Sequence, residues 1–235
     1  MVKKRDLFLE KLVVKEADEI LTVGNTLKNT LEGKAVNSLV KVIPNGFDPA
    51  DFKHFSTSKP ERFTITYMGT MAEQYNISAF LDACILMKQH DIDFSIRFVG
   101  QVAESVVGKF TQAGLISHLE LIPYVEHREA LNYLSRSSAL LLVLPDIPGN
   151  KGILTGKLFE YLASGLPIIG IGPQDSDTAE VLTKTQAGKM FANEEGEQIF
   201  QYLLKLNRNE NSFLIDGTRE AYSRANLAAH LAELL

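Results

Sequence analysis

The sequence predicts an α/β protein organised on a doubly wound parallel sheet, and three observations predict it. Apolar runs such as Ala139-Leu-Leu-Leu-Val-Leu144 and Pro167-Ile-Ile-Gly-Ile171 are continuous rather than alternating, as strands covered on both faces require. From residue 62 onward such runs alternate with amphipathic segments, a rhythm that joins parallel strands through right-handed crossovers. The 235 residues are 45% hydrophobic and 23% charged, which suffices for a sizeable core and is ordinary for this class.

Taken in order, residues 6–19 carry Leu7, Phe8, Leu12, Val13 and Ala17 among charges, an amphipathic helix leading into the strand Glu19-Ile-Leu-Thr-Val23. A short helix over 25–31 follows, with Asn25 as its cap, and then a strand over Leu39-Val-Lys-Val-Ile43. The turn Pro44-Asn-Gly46 ends that strand. Residues 47–60 lack periodicity, hold two prolines and read as a linker. Beyond it the pattern gives strand 62–68, helix 76–89, strand 94–99, helix 103–112, strand 118–122 and helix 127–136. The two apolar runs quoted above come next, with a helix between them. A helix near 177–183 opens on Asp177-Thr-Ala-Glu180, read as a capping box with a carboxylate in place of the hydroxyl. A short strand at Lys189-Met-Phe191 and two or three carboxyl-terminal helices complete the chain.

The totals exclude several function classes. A net charge of −5 argues against a nucleic-acid partner. No stretch is apolar for long enough to cross a bilayer, and the basic opening Met-Val-Lys-Lys-Arg lacks the apolar core of a secretory signal, so a cytoplasmic location is expected. The single cysteine, Cys84, lies among Phe80, Leu81, Ile85 and Leu86 and reads as a buried thiol. His54, His90, His118, His127 and His230 show no ligand spacing, and His127 reads as a residue of a helix amino terminus. Asp91-Ile-Asp93 precedes a strand and Asp175-Ser-Asp177 falls where a helix needs a cap, so neither is assigned to a metal. The dinucleotide fingerprint G-x-G-x-x-G, the Walker loop, G-x-S-x-G and H-E-x-x-H are all missing.

The chemistry-bearing stretch is Thr155-Gly-Lys-Leu-Phe-Glu-Tyr-Leu-Ala-Ser-Gly-Leu-Pro167. It reads as a crossover helix with Leu158, Phe159 and Leu162 toward the sheet, and Lys157, Glu160 and Ser164 on a separate polar stripe. Ligands of open parallel sheets bind beyond the carboxyl ends of the strands, where the next helix starts with unpaired amides. There Gly156 allows close approach, Lys157 can clamp a phosphate, and Glu160 can accept paired hydrogen bonds from vicinal hydroxyls. Taken alone, Lys157 and Glu160 read first as a solvated i, i+3 pair worth about 0.2–0.5 kcal/mol. Two further loops, Tyr67-Met-Gly69-Thr70 and Phe98-Val-Gly100-Gln101, leave strands through glycines that would admit a ligand to the backbone.

Together with Ala17-Asp-Glu-Ile-Leu-Thr-Val23 and Val42-Ile-Pro-Asn-Gly-Phe-Asp48, these pieces resemble, in order and spacing from about residue 10 to 192, the carboxyl-terminal half of a GT-B glycosyltransferase of the retaining family 4, or group 1. The resemblance implies two facing Rossmann-like domains of which the second holds a nucleotide-sugar. It divides the chain into residues 1–46 as the end of a first domain, 47–60 as the interdomain linker, and 61–235 as the donor-binding domain. It implies Glu160 on the ribose, Lys157 near the diphosphate with Thr155 and Gly156 at the helix start, Gly69 and Thr70 closing over it, and the backbone at Tyr124 and Val125 against the nucleobase. The implied activity is hexosyl transfer in polysaccharide biosynthesis, with the nucleotide-sugar as substrate and no other cofactor.

Three departures from the family pattern follow. Thr70 and the Gln74-Tyr-Asn76 region stand where many members carry an arginine and a lysine. Gly152 stands where many carry a glutamate that touches the donor sugar, in a loop whose Lys151 can restore a phosphate contact. Most of the acceptor-binding first domain has no counterpart, so a complementary amino-terminal domain or a homo-oligomer is expected to cover residues 1–45. Two other readings stay open: a non-catalytic nucleotide-sugar-binding module or degenerate remnant, and part of a GT-B nucleotide-sugar epimerase.

Overall fold

In the computed structural model, which describes residues 2–34, 39–210 and 217–234, the chain folds as two parallel sheets of unequal size. The amino-terminal unit comprises α1 (Val2–Glu16), β1 (Glu19–Thr22), α2 (Asn25–Glu32) and β2 (Leu39–Val42), with Ile20 of β1 opposite Val40 of β2. The larger sheet is built from β3 (Phe63–Met68), β4 (Phe94–Val99), β5 (Leu119–Ile122), β6 (Ala139–Val143), β7 (Ile168–Ile171) and β8 (Gly188–Phe191). Its order is β5-β4-β3-β6-β7-β8 with every pairing parallel. Counted from β3 this is 3-2-1-4-5-6, the doubly wound arrangement that reverses direction between β3 and β6.

Helices α3 (Ser78–Gln89), α4 (Glu104–Gln112), α5 (His127–Ser135), α6 (Gly156–Ser164), α7 (Asp177–Lys184) and α8 (Gly196–Asn207) cover this sheet on both faces. Strand side chains alternate between two cores. Ile65, Tyr67, Ile96, Phe98, Leu141 and Val143 join α3, α4 and α8, whereas Met68, Val99, Leu140, Leu142 and Ile168 join α5, α6 and α7. Two-sided burial is why β6 and β7 read as continuous apolar runs. Cys84 is fully buried in the first core, and burial raises its thiol pKa.

The linker is seated on the larger unit. Pro49–Phe52 forms a 3-10 turn capped by Asp48, whose Oδ1 accepts from the Ala50 amide at 2.9 Å. The Phe52 ring contacts those of Phe47 and Phe55, and the Ser58 amide donates to the Ser135 carbonyl at 2.8 Å. The last helix, α9 (Arg224–Leu234), runs back toward the amino-terminal unit, where Lys41 Nζ donates to the Leu234 carbonyl at 3.0 Å. Gly46 permits that crossing, because a Cβ there would lie 2.3 Å from the Tyr222 carbonyl oxygen. Among the described residues no helix is long and apolar enough to cross a membrane.

Two capping expectations are corrected. The cap of α2 is Gly24 rather than Asn25, and α7 is capped by Ser176, whose Oγ accepts from the Ala179 amide at 3.2 Å, so Asp177 begins the helix instead of capping it. Asp177 serves the other unit. Its carboxylate accepts from the Thr26 amide at 3.1 and 3.2 Å and from Thr26 Oγ1 at 2.8 Å, satisfying the amino terminus of α2 from outside. Asn25 Nδ2 donates to both oxygens of Glu180, at 3.1 and 2.9 Å. Gly24 leaves the space, since a Cβ there would stand 2.1 Å from Asp177 Oδ2.

Candidate functional site

Helix α6 starts beyond the carboxyl ends of β3 and β6, at the reversal of strand order. Leu158, Phe159 and Leu162 are fully buried against the sheet, as their spacing predicts. Tyr161 is also fully buried, and its hydroxyl accepts from the Met68 amide at 2.9 Å, fastening the helix to the last residue of β3. Gly165, at φ 74°, ends the helix in the left-handed region. Ser164 leaves the predicted polar stripe: it is buried, donates to the Tyr161 carbonyl at 2.7 Å and accepts from the Leu166 amide at 3.2 Å. The stripe that faces outward is thus Lys157 and Glu160.

These two do not pair with each other. Lys157 Nζ donates to Tyr67 Oη at 2.5 Å and lies 4.0 Å from the centroid of that ring, with the Tyr75 ring at 5.9 Å. Tyr67 Oη donates in turn to the Thr70 carbonyl at 2.7 Å. Burial lowers the Lys157 pKa from 10.5 to about 8, with Glu160 opposing the shift. The ammonium also lies beside Gly69, where an added Cβ would come within 3.3 Å of Nζ at φ 107°. Lys157, Gly69 and Thr70, three residues the sequence singled out, are brought together through Tyr67, to which sequence reasoning assigned no role of its own.

Gly100 plays a different part from the one its loop suggested. At φ 129°, an added Cβ would stand 2.5 Å from the Gly69 carbonyl oxygen, so this glycine accommodates the neighbouring loop rather than a ligand. The stretch from Thr70 to Tyr75 is bound down: the Met71 amide donates to Gln101 at 2.8 Å, and the Asp146 amide donates to the Gln74 carbonyl at 2.8 Å. The opening of α6 is bare by comparison. A Cβ on Gly156 would meet nothing within 4 Å, and Thr155 Oγ1 is buried with no hydrogen-bond partner among the described residues.

Glu160 turns to the first residue of α5: its Oε1 lies 3.3 Å from His127 Nε2. The Glu160 side chain is 30% exposed and that of His127 48%, so the pair is open to solvent. Sequence reasoning left His127 without a role. The available signal was position, since it opens the helix that follows β5 on the same edge of the sheet as α6. Tyr124 and Val125 precede it on that edge, Tyr124 77% exposed and Val125 half-buried against the α5–α7 core.

Lys151 lies in the 3-10 turn Asn150–Gly152 and pairs with Asp175 of the β7–α7 loop at 2.5 Å; that hydrogen bond holds the Asp175 carboxyl below its ordinary pKa. Gly152 faces the amino-terminal unit, where an added Cβ would sit 3.2 Å from the Thr26 methyl. A side chain at this position would therefore press on Thr26 of α2. Asp93 pairs with Arg62 at 2.9 Å beside the amino ends of β3 and β4, away from α6. Among the described residues no group of three His, Cys, Asp or Glu side chains could hold a metal ion.

Comparison with protein families shows that the model of glycosyl transferases group 1 matches residues 62–209. Among solved structures the chain is similar to the apo form of the lipopolysaccharide outer core galactosyltransferase WaaB, at 14% identity and TM-score 0.72, covering 92% of this chain and 61% of that one. It is similar to a sucrose-phosphate synthase from Thermosynechococcus elongatus, at 13% identity and TM-score 0.76, covering 98% and 61%. It is also similar to Anabaena Alr3699/HepE in complex with UDP-glucose, at 13% identity and TM-score 0.72, covering 95% and 65%. The chain thus spans less than two thirds of the length of these structures. Comparison with characterised protein sequences finds no match.

Proposed function

This chain belongs to the group 1 glycosyltransferases, and from that premise we propose that its six-stranded unit binds the nucleotide-sugar donor of a retaining glycosyl transfer. The observation that carries the reading is Lys157, a half-buried cation beside Gly69 at the reversal of strand order, with an open helix start next to it. The diphosphate sits on the α6 amides, with Lys157 Nζ and Thr155 Oγ1 as donors and Thr70 at the rim. Lys151 adds a second cation when it exchanges Asp175 for phosphate. The ribose diol donates to Glu160, and the nucleobase meets the backbone at Tyr124 and Val125.

The chemistry assigned to these groups is electrostatic. As the bond between the sugar's anomeric carbon and the diphosphate oxygen breaks, negative charge grows on the leaving oxygen. Fixed donors directed at that charge stabilise the transition state without reorganising. A lysine with a pKa near 8 is largely protonated at neutral pH, and an arriving diphosphate draws its ammonium from Tyr67.

Calorimetric titration with uridine, guanosine and adenosine diphosphates tests the reading. At least one should bind, and Lys157→Ala or Glu160→Ala should weaken it roughly tenfold to a hundredfold. Affinity should also fall as the pH rises above about 8, where free Lys157 loses its proton. If none of the three binds, or both variants bind like the parent, the assignment is wrong.

A further inference from the structure

We propose that His127 is a positioning residue, holding the Glu160 carboxylate in the orientation that receives the vicinal hydroxyls of the ribose. The inference rests on the donor-site reading above and adds to it a residue from a different helix. Its basis is the divergence of the polar stripe. Lys157 and Glu160 stand one turn apart on α6, a spacing at which opposite charges ordinarily pair, yet Lys157 donates to Tyr67 while Glu160 contacts His127.

A flexible glutamate next to a lysine has two uses for its carboxylate, and only one of them leaves the site competent. If Glu160 swings to Lys157, it neutralises the phosphate clamp and abandons the diol at once. An imidazole N–H on Oε1 holds the carboxylate to the α5 side and leaves Oε2, with the remaining lone pair of Oε1, for two sugar hydroxyls. For this purpose Nε2 carries the proton, the tautomer that lets it donate to a carboxylate. The base of the device is firm: α5 buries Ala130, Leu131 and Leu134 in the core it shares with α6, and its first turn is closed by the Ala130 amide on the Glu126 carbonyl at 2.9 Å. His127 and Glu160 are thus presented by two helices packed on one face of the same sheet.

The test uses whichever of uridine, guanosine or adenosine diphosphate binds most tightly, together with its 2′,3′-dideoxy form. His127→Ala should weaken the ribonucleotide roughly three- to tenfold, the worth of one ordinary hydrogen bond. His127→Gln, which keeps an N–H donor, should restore most of that loss. Because the effect passes through the diol, His127→Ala should leave the dideoxy form unchanged and add nothing in a Glu160→Ala background. Thermal unfolding of each variant separates a folding defect from a binding one. Equal weakening of both nucleotides, full weakening in the Glu160→Ala background, or no weakening at all would overturn the proposal. In the last case, if Glu160→Ala still weakens binding, the donor site stands and His127 alone is misassigned. If no nucleoside diphosphate binds the parent, both fall together.

Discussion

The six-stranded unit and the amino-terminal unit are made of the same elements and held by different forces. In the larger, side chains such as Phe80, Phe98, Leu141 and Ile169 are fully buried between sheet and helices. In the smaller, Val40 is buried, but Leu7, Phe8, Leu12, Val13 and Leu39 lie 46–65% exposed. A two-stranded sheet has too little apolar surface to stand alone, and polar contacts at its edge tie this one to the larger unit. Asp177 and Glu180 hold the start of α2, and Lys41 holds the end of α9. A cavity of about 320 Å³ lined by Gly24, Asn25, Pro44, Asp177, Glu180 and His230 remains between the two. Burial makes the first unit cooperative, whereas directional hydrogen bonds fix the second in place without closing its core.

The sharpest way to probe this contrast is to remove buried volume. Phe98→Ala takes away a ring in edge contact with Tyr67 and Phe110, both at 5.6 Å, and should cost about 3–5 kcal/mol in urea denaturation. A loss below about 1 kcal/mol would mean that the interior tolerates a cavity the packing says it cannot.

Asp177→Ala attacks the junction instead. It should cost about 1–2 kcal/mol, and hydrogen exchange should speed up in α2, β1 and β2 while amides of β3, β6 and β7 keep their protection. Uniform acceleration throughout both sheets would show that the units open together and would remove the distinction.

Lys157 is a cation inside the well-buried unit, kept where burial opposes its charge. Lys157→Met should stabilise the protein by about 1 kcal/mol at pH 7 while abolishing the proposed phosphate contact. The sign with pH follows from proton counting. Between about pH 8 and 10.5 the unfolded chain retains the lysine proton that the folded chain has released, so the parent gains stability relative to the variant as the pH rises. The gap should therefore close across that window in paired thermal melts, and a gap that widens would reverse the assignment.

The smallest effect is expected on the exposed side of α1. Leu12→Lys or Val13→Lys should change stability by less than about 0.5 kcal/mol, because both side chains stay exposed, at 46% and 65%. A cost above about 1 kcal/mol would show that this face is covered in solution.

The order of strands and helices, the two-sided burial of β6 and β7, and the start and stop of α6 are decided by local signals, so they were legible in the residues. Continuous apolar runs need cover on both faces, helical spacing separates Lys157 and Glu160 from Leu158, Phe159 and Leu162, and Gly165 adopts the left-handed backbone that ends the turn. The amino acids also determined that a lysine and a glutamate would stand one turn apart at the carboxyl edge of a parallel sheet.

Which partners those two side chains chose was decided by the tertiary structure. Tyr67 is 90 residues from Lys157 and His127 is 33 from Glu160, and only strand order places β3 and α5 against α6. The same holds for Asp177, which resembles a cap of its own helix yet accepts from the Thr26 amide of α2, 151 residues away. Periodicity and capping patterns report what a segment needs from its surroundings. They do not report which segment supplies it, because that depends on which elements the sheet brings within hydrogen-bonding distance.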